Sequence, residues 1–520
     1  MAVILALLDA MVVFAVASAV LLWTQAPPGQ GSAPAVATAH ALAIVLCTVA
    51  AFYYYDLYDL RRLRRFRQTA PRLPRVAAVG ALLLLAGHAP FGWGAIGPRR
   101  LLASGAAALV FAFVVREAAY RLMETRRRLQ RVLIIGGGAL AQELIAEIQA
   151  RPDLRHRVMG FLDDRAGTPL PGCPRLGSLR DVTRVIADIR PHRVIVALAS
   201  RRGSMPLKPL LDLRLKGIAV EDGAQVYEKL TGKIAIEALT PSSLIFSNDF
   251  RGFRLDLALA RALTLPLAAA GLVLAAPLLL LIALVIKLDS AGPVFFIQER
   301  VGRAGKLFKL IKFRTMRPAD KATSEWVRDN DDRLTRVGRY LRRFRLDELP
   351  QLLNTVKGDM NLVGPRPHPV SNLDLLVMVM RNTPDCGETI PYYALRSLVR
   401  PGLTGWAQVR YQYANDLDEE IEKMRYDMYY IKHMSAWLDL RILFETCKIV
   451  LRGRESASRE RAGAVRGPDA TAARRSADLR RASGDGLAAA ASETVERVAP
   501  PIKPVPAPPP LALRPPAPGA

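Results

Sequence analysis

The residues best suited to chemistry are Asp347 and Glu348, adjacent carboxylates within Arg345-Leu-Asp-Glu-Leu-Pro-Gln-Leu-Leu-Asn354. Leu349, Leu352 and Leu353 follow at helical spacing, and Pro350 suits a first helical turn, so a helix is predicted to start near the acidic pair. There the helix dipole and free N–H groups favour negative charge. Arg333, Arg336, Arg339, Arg342, Arg343 and Arg345 precede the pair, and Arg366 follows in Gly364-Pro-Arg-Pro367. Carboxylates in so basic a setting are expected to stay ionised and to share a pocket with a phosphorylated substrate. The same pair also reads as an N-terminal helix cap with neighbouring salt bridges.

The element that must position this pair is Ala262 to Ile286, almost wholly apolar but holding Pro266 and Pro277. Arg251, Arg254 and Arg261 flank it upstream; Lys287, Arg300, Arg303, Lys306, Lys309, Lys312 and Arg314 flank it downstream. A spanning helix carries such an excess on one side only. A re-entrant hairpin, turning near Ala276-Pro277, would keep both flanks on the cytoplasmic face, because proline removes a backbone hydrogen bond and bends the helix. The competing reading is a kinked fifth span, which would export a strongly basic C-terminal half. After the hairpin, residues 292–300 and 309–316 alternate basic and apolar side chains, as an interfacial segment would.

Ahead of it, apolar stretches run from about Ala2 to Trp23, Ala37 to Tyr55, Val76 to Trp93 and Leu101 to Val115. Each approaches the roughly 20 residues that cross a bilayer. The first has neither a basic n-region nor an evident cleavage site, so it reads as a retained helix. The Thr24–His40 connection is uncharged, whereas Asp56–Arg75 and the run from Arg121 to Arg131 are rich in arginine, which places both basic segments in the cytoplasm. From Arg131 strands and helices alternate, as in a doubly wound parallel sheet. Val132–Ile135, Val158–Leu162, Val194–Ala197 and Gly217–Val220 read as strands. Gly136, Gly138 and Ala141 match the G-x-G-x-x-A fingerprint of a dinucleotide site. Asp163-Asp164 lies later than the usual acidic position, and no Tyr-x-x-x-Lys occurs, so a structural or regulatory module is preferred to a nucleotide-binding one. The expected regions are a four-helix transmembrane domain (1–120), a Rossmann-like domain (121–245), a mostly α-helical catalytic domain (246–452) and a disordered Ala/Arg/Pro-rich tail (453–520).

The formal net charge of +26 over 520 residues calls for an anionic partner. With 51% apolar residues concentrated in blocks, that partner is a membrane surface and phosphorylated metabolites rather than nucleic acid. The four cysteines form no Cys-x-x-Cys, so neither a zinc site nor a disulfide framework is implied.

Nine blocks then stand in order: Lys287-Leu-Asp-Ser290, Gly292-Pro-Val-Phe-Phe, Gln298-Glu-Arg-Val-Gly302, Lys312-Phe-Arg-Thr-Met316, Leu346-Asp-Glu-Leu-Pro-Gln-Leu352, Gly358-Asp-Met360, Leu362-Val-Gly-Pro-Arg-Pro367, Pro401-Gly-Leu-Thr-Gly-Trp-Ala-Gln408 and Tyr426–Tyr430. Together they closely resemble the bacterial sugar transferases, monotopic polyprenyl-phosphate phosphoglycosyl transferases, over about Phe250 to Leu451. The N-terminal helices and nucleotide-like domain resemble the long form, whose members prime exopolysaccharide or O-antigen synthesis. Ile390-Pro-Tyr-Tyr393 and Arg410-Tyr-Gln-Tyr413 resemble a subgroup from exosortase-type loci. Ala276-Pro277 departs from the Ser-Pro of many relatives. The resemblance implies transfer of a sugar 1-phosphate from a UDP-sugar, glucose or galactose, to undecaprenyl phosphate. It makes Asp347 the nucleophile and has Glu348 help hold Mg²⁺ and orient it. Lys312, Arg314, Arg342, Arg345 and Arg366 are then candidate phosphate clamps, each with a carboxylate or a lipid headgroup as its alternative partner. It also implies an inner-membrane location, contact with inner-leaflet lipids, and a homodimer. Readings from other classes are a membrane-tethered NAD(P)-dependent nucleotide-sugar dehydratase or epimerase using the glycine turn, and a non-enzymatic assembly scaffold.

Overall fold

The computed structural model describes residues 2–23, 34–58, 72–88, 98–126, 129–151, 154–164, 170, 172–198, 205–239, 253–317, 333–370, 381–382, 390–411 and 417–452. The tail, most of the Asp56–Arg75 connection, the uncharged Thr24–Ser32 stretch and Cys386 lie outside the described residues.

The chain opens with helices α1 (Ala2–Trp23), α2 (Pro34–Tyr54), α3 (Leu73–His88) and α4 (Pro98–Arg126). Among the described residues, Leu5–Trp23, Ala37–Tyr54 and Arg99–Ala119 are long and apolar enough to cross a membrane. Helix α3 is shorter, with 16 residues, and the rest of the third apolar stretch is outside the description. Leu5, Val13, Ile44, Phe52, Val76 and Ala108 form the buried seam of this group. One ion pair sits inside it. Arg116 Nη2 lies 3.0 Å from Asp9 Oδ2, and the guanidinium rests 4.9 and 4.8 Å from the Phe52 and Tyr58 ring centres. A charge in so apolar a place persists only when it is paired.

Beyond Leu129, β1 (Gln130–Ile135), α5 (Ala139–Gln149), β2 (His156–Leu162), β3 (Arg175–Gly177), α6 (Val182–Ile189), β4 (Arg193–Val196), α7 (Leu207–Leu215), β5 (Ala219–Asp222) and α8 (Gly223–Thr231) follow. The five strands pair in parallel in the order β3-β2-β1-β4-β5. Both sheet faces are covered, by clusters around Ile134 and Ile145 on one and Leu133 and Val194 on the other. That is why the strands read as unbroken apolar runs.

Next comes α9 (Phe253–Asp289), 37 residues long, with Pro266 and Pro277 inside it. The turn expected at Ala276-Pro277 does not interrupt the helix. A proline costs one backbone hydrogen bond, and packing of both arms outweighs that loss. Leu257, Ala268 and Leu272 of the first arm join the main cluster of the C-terminal region. Leu279, Ile282, Ala283 and Ile286 of the second arm join a separate one with Phe313 and Leu341. Leu349 packs against both clusters. Between the arms and along them Val273, Leu274, Leu280 and Leu288 are 73–79% exposed. Leaving each in water forgoes about 1.5–3 kcal/mol, a sum comparable with the net stability of a domain; an apolar medium removes the penalty.

The remainder builds the site. It comprises the antiparallel hairpin β6 (Phe295–Val301) and β7 (Leu307–Phe313), α10 (Arg336–Arg343), a 3₁₀ turn (Leu346–Glu348), α11 (Gln351–Lys357) and β8 (Asn361–Val363). Then come α12 (Tyr392–Arg396), β9 (Gly402–Thr404), α13 (Trp406–Arg410), α14 (Leu417–Lys432) and α15 (Ala436–Arg452). Strand β9 pairs in parallel with β8. Helix α15 ties this region to the first helices: Lys448 pairs with Asp56, and the Phe444 ring meets Tyr53 edge-on at 4.4 Å.

Candidate active site

The helix predicted at the acidic pair is a 3₁₀ turn followed by α11, with Pro350 at its N-cap. Asp347 and Glu348 are buried. Arg345 enters the turn in the left-handed conformation, φ 56°. Its carbonyl accepts the Glu348 N–H at 3.3 Å, so the residue before the turn anchors it.

Charge around the pair comes from three elements. Lys312 on β7, Arg342 on α10 and Arg366 after β8 all act electrostatically on Asp347. Arg366 donates to Glu348 Oε1 at 3.0 Å. Arg342 is held by Thr315 Oγ1 at 3.0 Å, and the Lys312 ammonium lies 4.8 Å from the centre of the Phe296 ring. Arg345 turns to Gln408 Oε1, at 3.1 Å. Arg314 is used differently: its guanidinium donates to the Ala291 and Ser290 carbonyls at 2.6 and 2.8 Å, which fixes the exit from α9. Of the five basic residues expected at the pair, Lys312, Arg342 and Arg366 therefore gather on Asp347. Arg345 is engaged beside it and Arg314 braces the scaffold.

The expectation of a freely ionised pair needs adjusting. Burial first, and the Glu348 charge second, raise Asp347 to about 6, against the pull of Lys312, Arg342 and Arg366. Burial also lowers Lys312 to about 8, helped by Arg300, Arg366 and Arg342 and opposed by Asp347. Both groups are thus poised around neutral pH, where sites that do chemistry are tuned.

Sequence reasoning missed the layer behind Arg366. Arg396 donates to Asp427 Oδ2 at 2.9 Å and to the Arg366 carbonyl, and lies 3.0 Å from His368 Nδ1. His368 Nε2 faces Glu420 at 3.4 Å. Burial, then Arg396, lower the His368 pKa to about 4, so the ring is neutral at pH 7. A small, open cleft lies beside this layer, lined by Gly302, Pro365, Arg366, Tyr393 and Arg396. Asp427 lies within the Tyr426–Tyr430 block, which was the available signal.

The glycine turn has the geometry its fingerprint requires. Gly136 has φ +111°, and a Cβ there would lie 2.5 Å from the Ala197 carbonyl oxygen. Gly138 is the N-cap of α5, and Ala141 is buried beneath it. Yet Asp163 Oδ2 accepts the Gly137 N–H at 2.5 Å, and Asp164 accepts the Leu179 N–H at 2.8 Å. The chain's own carboxylate thus takes a donor that a pyrophosphate would use. The module also grips α14: Glu143 and Tyr227 bond Arg425, Glu228 pairs with Lys432, and Lys233 with Glu422.

Residues 255–453 match the family described as bacterial sugar transferase, and residues 54–214 match the one described as CoA-binding domain. The exopolysaccharide production protein PSS of Rhizobium leguminosarum bv. phaseoli is 40% identical over 37% of this chain and 94% of its own length. The UDP-glucose:undecaprenyl-phosphate glucose-1-phosphate transferase of Caulobacter vibrioides is 44% identical over 37% of this chain and 69% of its own. This chain belongs to the bacterial sugar transferase family. The family match runs from the first turn of α9 to the end of α15, so helix, dyad and basic ring all fall inside it. The UDP-N-acetylgalactosamine-undecaprenyl-phosphate N-acetylgalactosaminephosphotransferase of Aeromonas hydrophila is 39% identical over 44% of this sugar transferase. The chain spans 51% of that relative's length, and 59% and 66% of two further curated relatives.

Proposed function

We propose that this protein transfers a sugar 1-phosphate from a UDP-sugar to undecaprenyl phosphate, releasing UMP, as the first membrane step of exopolysaccharide or O-antigen synthesis. The observation that carries the reading is a buried Asp347-Glu348 pair, ringed by Lys312, Arg342 and Arg366 and built onto a helix whose apolar surface is exposed. Relatives named for UDP-glucose and for galactose transfer make those two sugars the first donors to test.

In this mechanism an Asp347 carboxylate oxygen attacks the β-phosphorus. The bond from that phosphorus to the bridging oxygen breaks, and UMP leaves with the oxygen. The acceptor phosphate then attacks the aspartyl phospho-sugar, forming undecaprenyl diphosphate sugar and restoring the carboxylate. Two easier displacements replace one difficult transfer. Little proton chemistry is needed, so positioning and charge neutralisation dominate. Lys312, Arg342 and Arg366 supply the positive charge toward which the diphosphate and developing UMP oxygens are drawn.

The donor set suits Mg²⁺. Among the described residues no three His, Cys, Asp or Glu converge to close a cage, whereas a pair of hard carboxylates completed by substrate oxygens and water is the usual Mg²⁺ arrangement. Asp347 and Glu348 would hold the ion, and it would supply further neutralisation of the diphosphate.

On this reading α9 lies in the inner leaflet of the cytoplasmic membrane and bends at Pro277 there, so that both arms return to one face. The support is its length, about 55 Å at 1.5 Å per residue against roughly 30 Å of hydrocarbon, its apolar window of which 11% is buried, and Leu349 touching both arms' clusters. Cysteine labelling in intact cells after residue 290 is expected to fail until the membrane is permeabilised; ready labelling from outside contradicts this topology.

The direct test is UMP release by the purified protein across a panel of UDP-sugars with undecaprenyl phosphate; no release with any donor overturns the reading. The site's poise adds a prediction. Lys312 neutralises only when protonated, and burial holds its pKa down to about 8, so kcat/KM should fall as the pH rises through about 8. A profile that stays flat from about pH 7 to about pH 9.5 contradicts the role assigned to Lys312.

A further inference from the structure

The 3₁₀ turn that presents Asp347 hangs from a residue in an unfavourable conformation. Arg345 has φ 56° and ψ 24°, which a non-glycine residue holds only where its surroundings impose it. Its carbonyl takes the Glu348 N–H, so relaxation of Arg345 would swing both carboxylates. What holds its side chain is Gln408, whose Oε1 accepts from Nη1 at 3.1 Å.

Gln408 is itself fixed. It lies on α13, whose N-cap Gly405 is pressed so closely to Gly364 that a Cβ would come within 2.2 Å of the Gly364 oxygen. Gly364 N donates to the Thr404 carbonyl at 2.9 Å, and two residues later Arg366 holds Glu348. Trp406, also on α13, donates from Nε1 to the Gly232 carbonyl of the sheet module at 2.9 Å. Its ring stacks with Tyr429 at 5.9 Å, and the Arg410 guanidinium lies over it at 4.3 Å. One rigid framework therefore reaches the acidic pair twice, through Arg366 to Glu348 and through Gln408 to Arg345.

We infer that Gln408 is a positioning residue for the transfer proposed above, holding the turn that carries Asp347 through the Arg345 side chain. The inference rests on that reading of the site. It assigns Arg345 a structural bond in place of the phosphate contact expected from sequence, and it links the sheet module to the chemistry through Trp406.

The test is steady-state kinetics of full-length variants, with Asp347→Asn measured alongside. Gln408→Leu should lower kcat by about ten- to a hundredfold, the scale of a misplacement near 1 Å, with KM for the UDP-sugar within about twofold of wild type. Gln408→Glu, which can still accept from the guanidinium, should recover most of the loss. Arg345→Met, which keeps a Cβ at the left-handed position but has no donor, should match Gln408→Leu, and the double variant should fall no further than the worse single, because both remove one link. Thermal midpoints separate these effects from unfolding, and Arg345→Met carries the test should Gln408→Leu fail to fold. The inference is overturned if Gln408→Leu turns over like wild type, or if Gln408→Glu is as impaired as Gln408→Leu. It is also overturned if the loss appears as a raised KM, which would give the buried, unpartnered Arg345 Nε and Gln408 Nε2 to a substrate oxygen. An active Asp347→Asn would instead remove the underlying reading, whatever Gln408 does.

Discussion

Asp347→Asn is expected to reduce UMP release by at least about 10³-fold, since loss of a nucleophile removes the covalent route and leaves only binding and charge effects. The substitution preserves shape, so the buried turn and its hydrogen bonds should survive. What changes is that an amide oxygen is a poor nucleophile and cannot balance Lys312, Arg342 and Arg366. If Asp347 were only a helix cap, its loss would cost about 0.5–2 kcal/mol of stability and leave turnover intact. Measured turnover and thermal midpoint together distinguish the two roles: lost activity in a stable protein supports the nucleophile, and retained activity removes it.

Asp427→Ala should be the most damaging change to stability. The Arg396–Asp427 pair is buried at 7% and 5% side-chain exposure, with Nε and Oδ2 2.9 Å apart. Removing the acid strands a guanidinium out of water, which typically costs 3–5 kcal/mol, about the range in which a buried pair is broken from one side. Arg396 also holds the Arg366 carbonyl and contacts His368, so Arg366 should loosen from Glu348 and activity should fall with stability. Removing both charges, as Arg396→Leu with Asp427→Leu, should restore part of the thermal midpoint. A midpoint unchanged in Asp427→Ala would show that the pair does not carry the layer behind the dyad.

The parts of this protein legible in its sequence are those encoded locally. The acidic pair, the proline in the first helical turn, the glycine turn and the sheet strands each lie within a few neighbouring residues, and the structure has them close to where spacing puts them. Asp9 escaped notice because one charge in an apolar run hardly alters the run, and its partner Arg116 is 107 residues away. Contacts between distant segments leave no periodicity at all. Trp406 with Gly232 and Arg425 with Glu143 span 174 and 282 residues, so the grip of the sheet module on α13 and α14 had no local signature. Basic residues were ambiguous in another way. Composition cannot tell an arginine spent on carbonyls, as Arg314 is, from one that meets a charge, as Arg366 does. The unbroken course of α9 shows that a proline marks where a helix can bend without fixing whether it stops.

The most direct test of the covalent route is to mix the purified full-length protein in lipid nanodiscs with a UDP-sugar and Mg²⁺, omit the acceptor, quench rapidly and map peptides by mass spectrometry. The peptide containing Asp347 should gain one sugar phosphate, with UMP released in equal amount, and should lose it when undecaprenyl phosphate is added. An unmodified peptide, with UMP appearing only once the acceptor is present, would mean direct transfer between the substrates and would contradict an aspartyl intermediate.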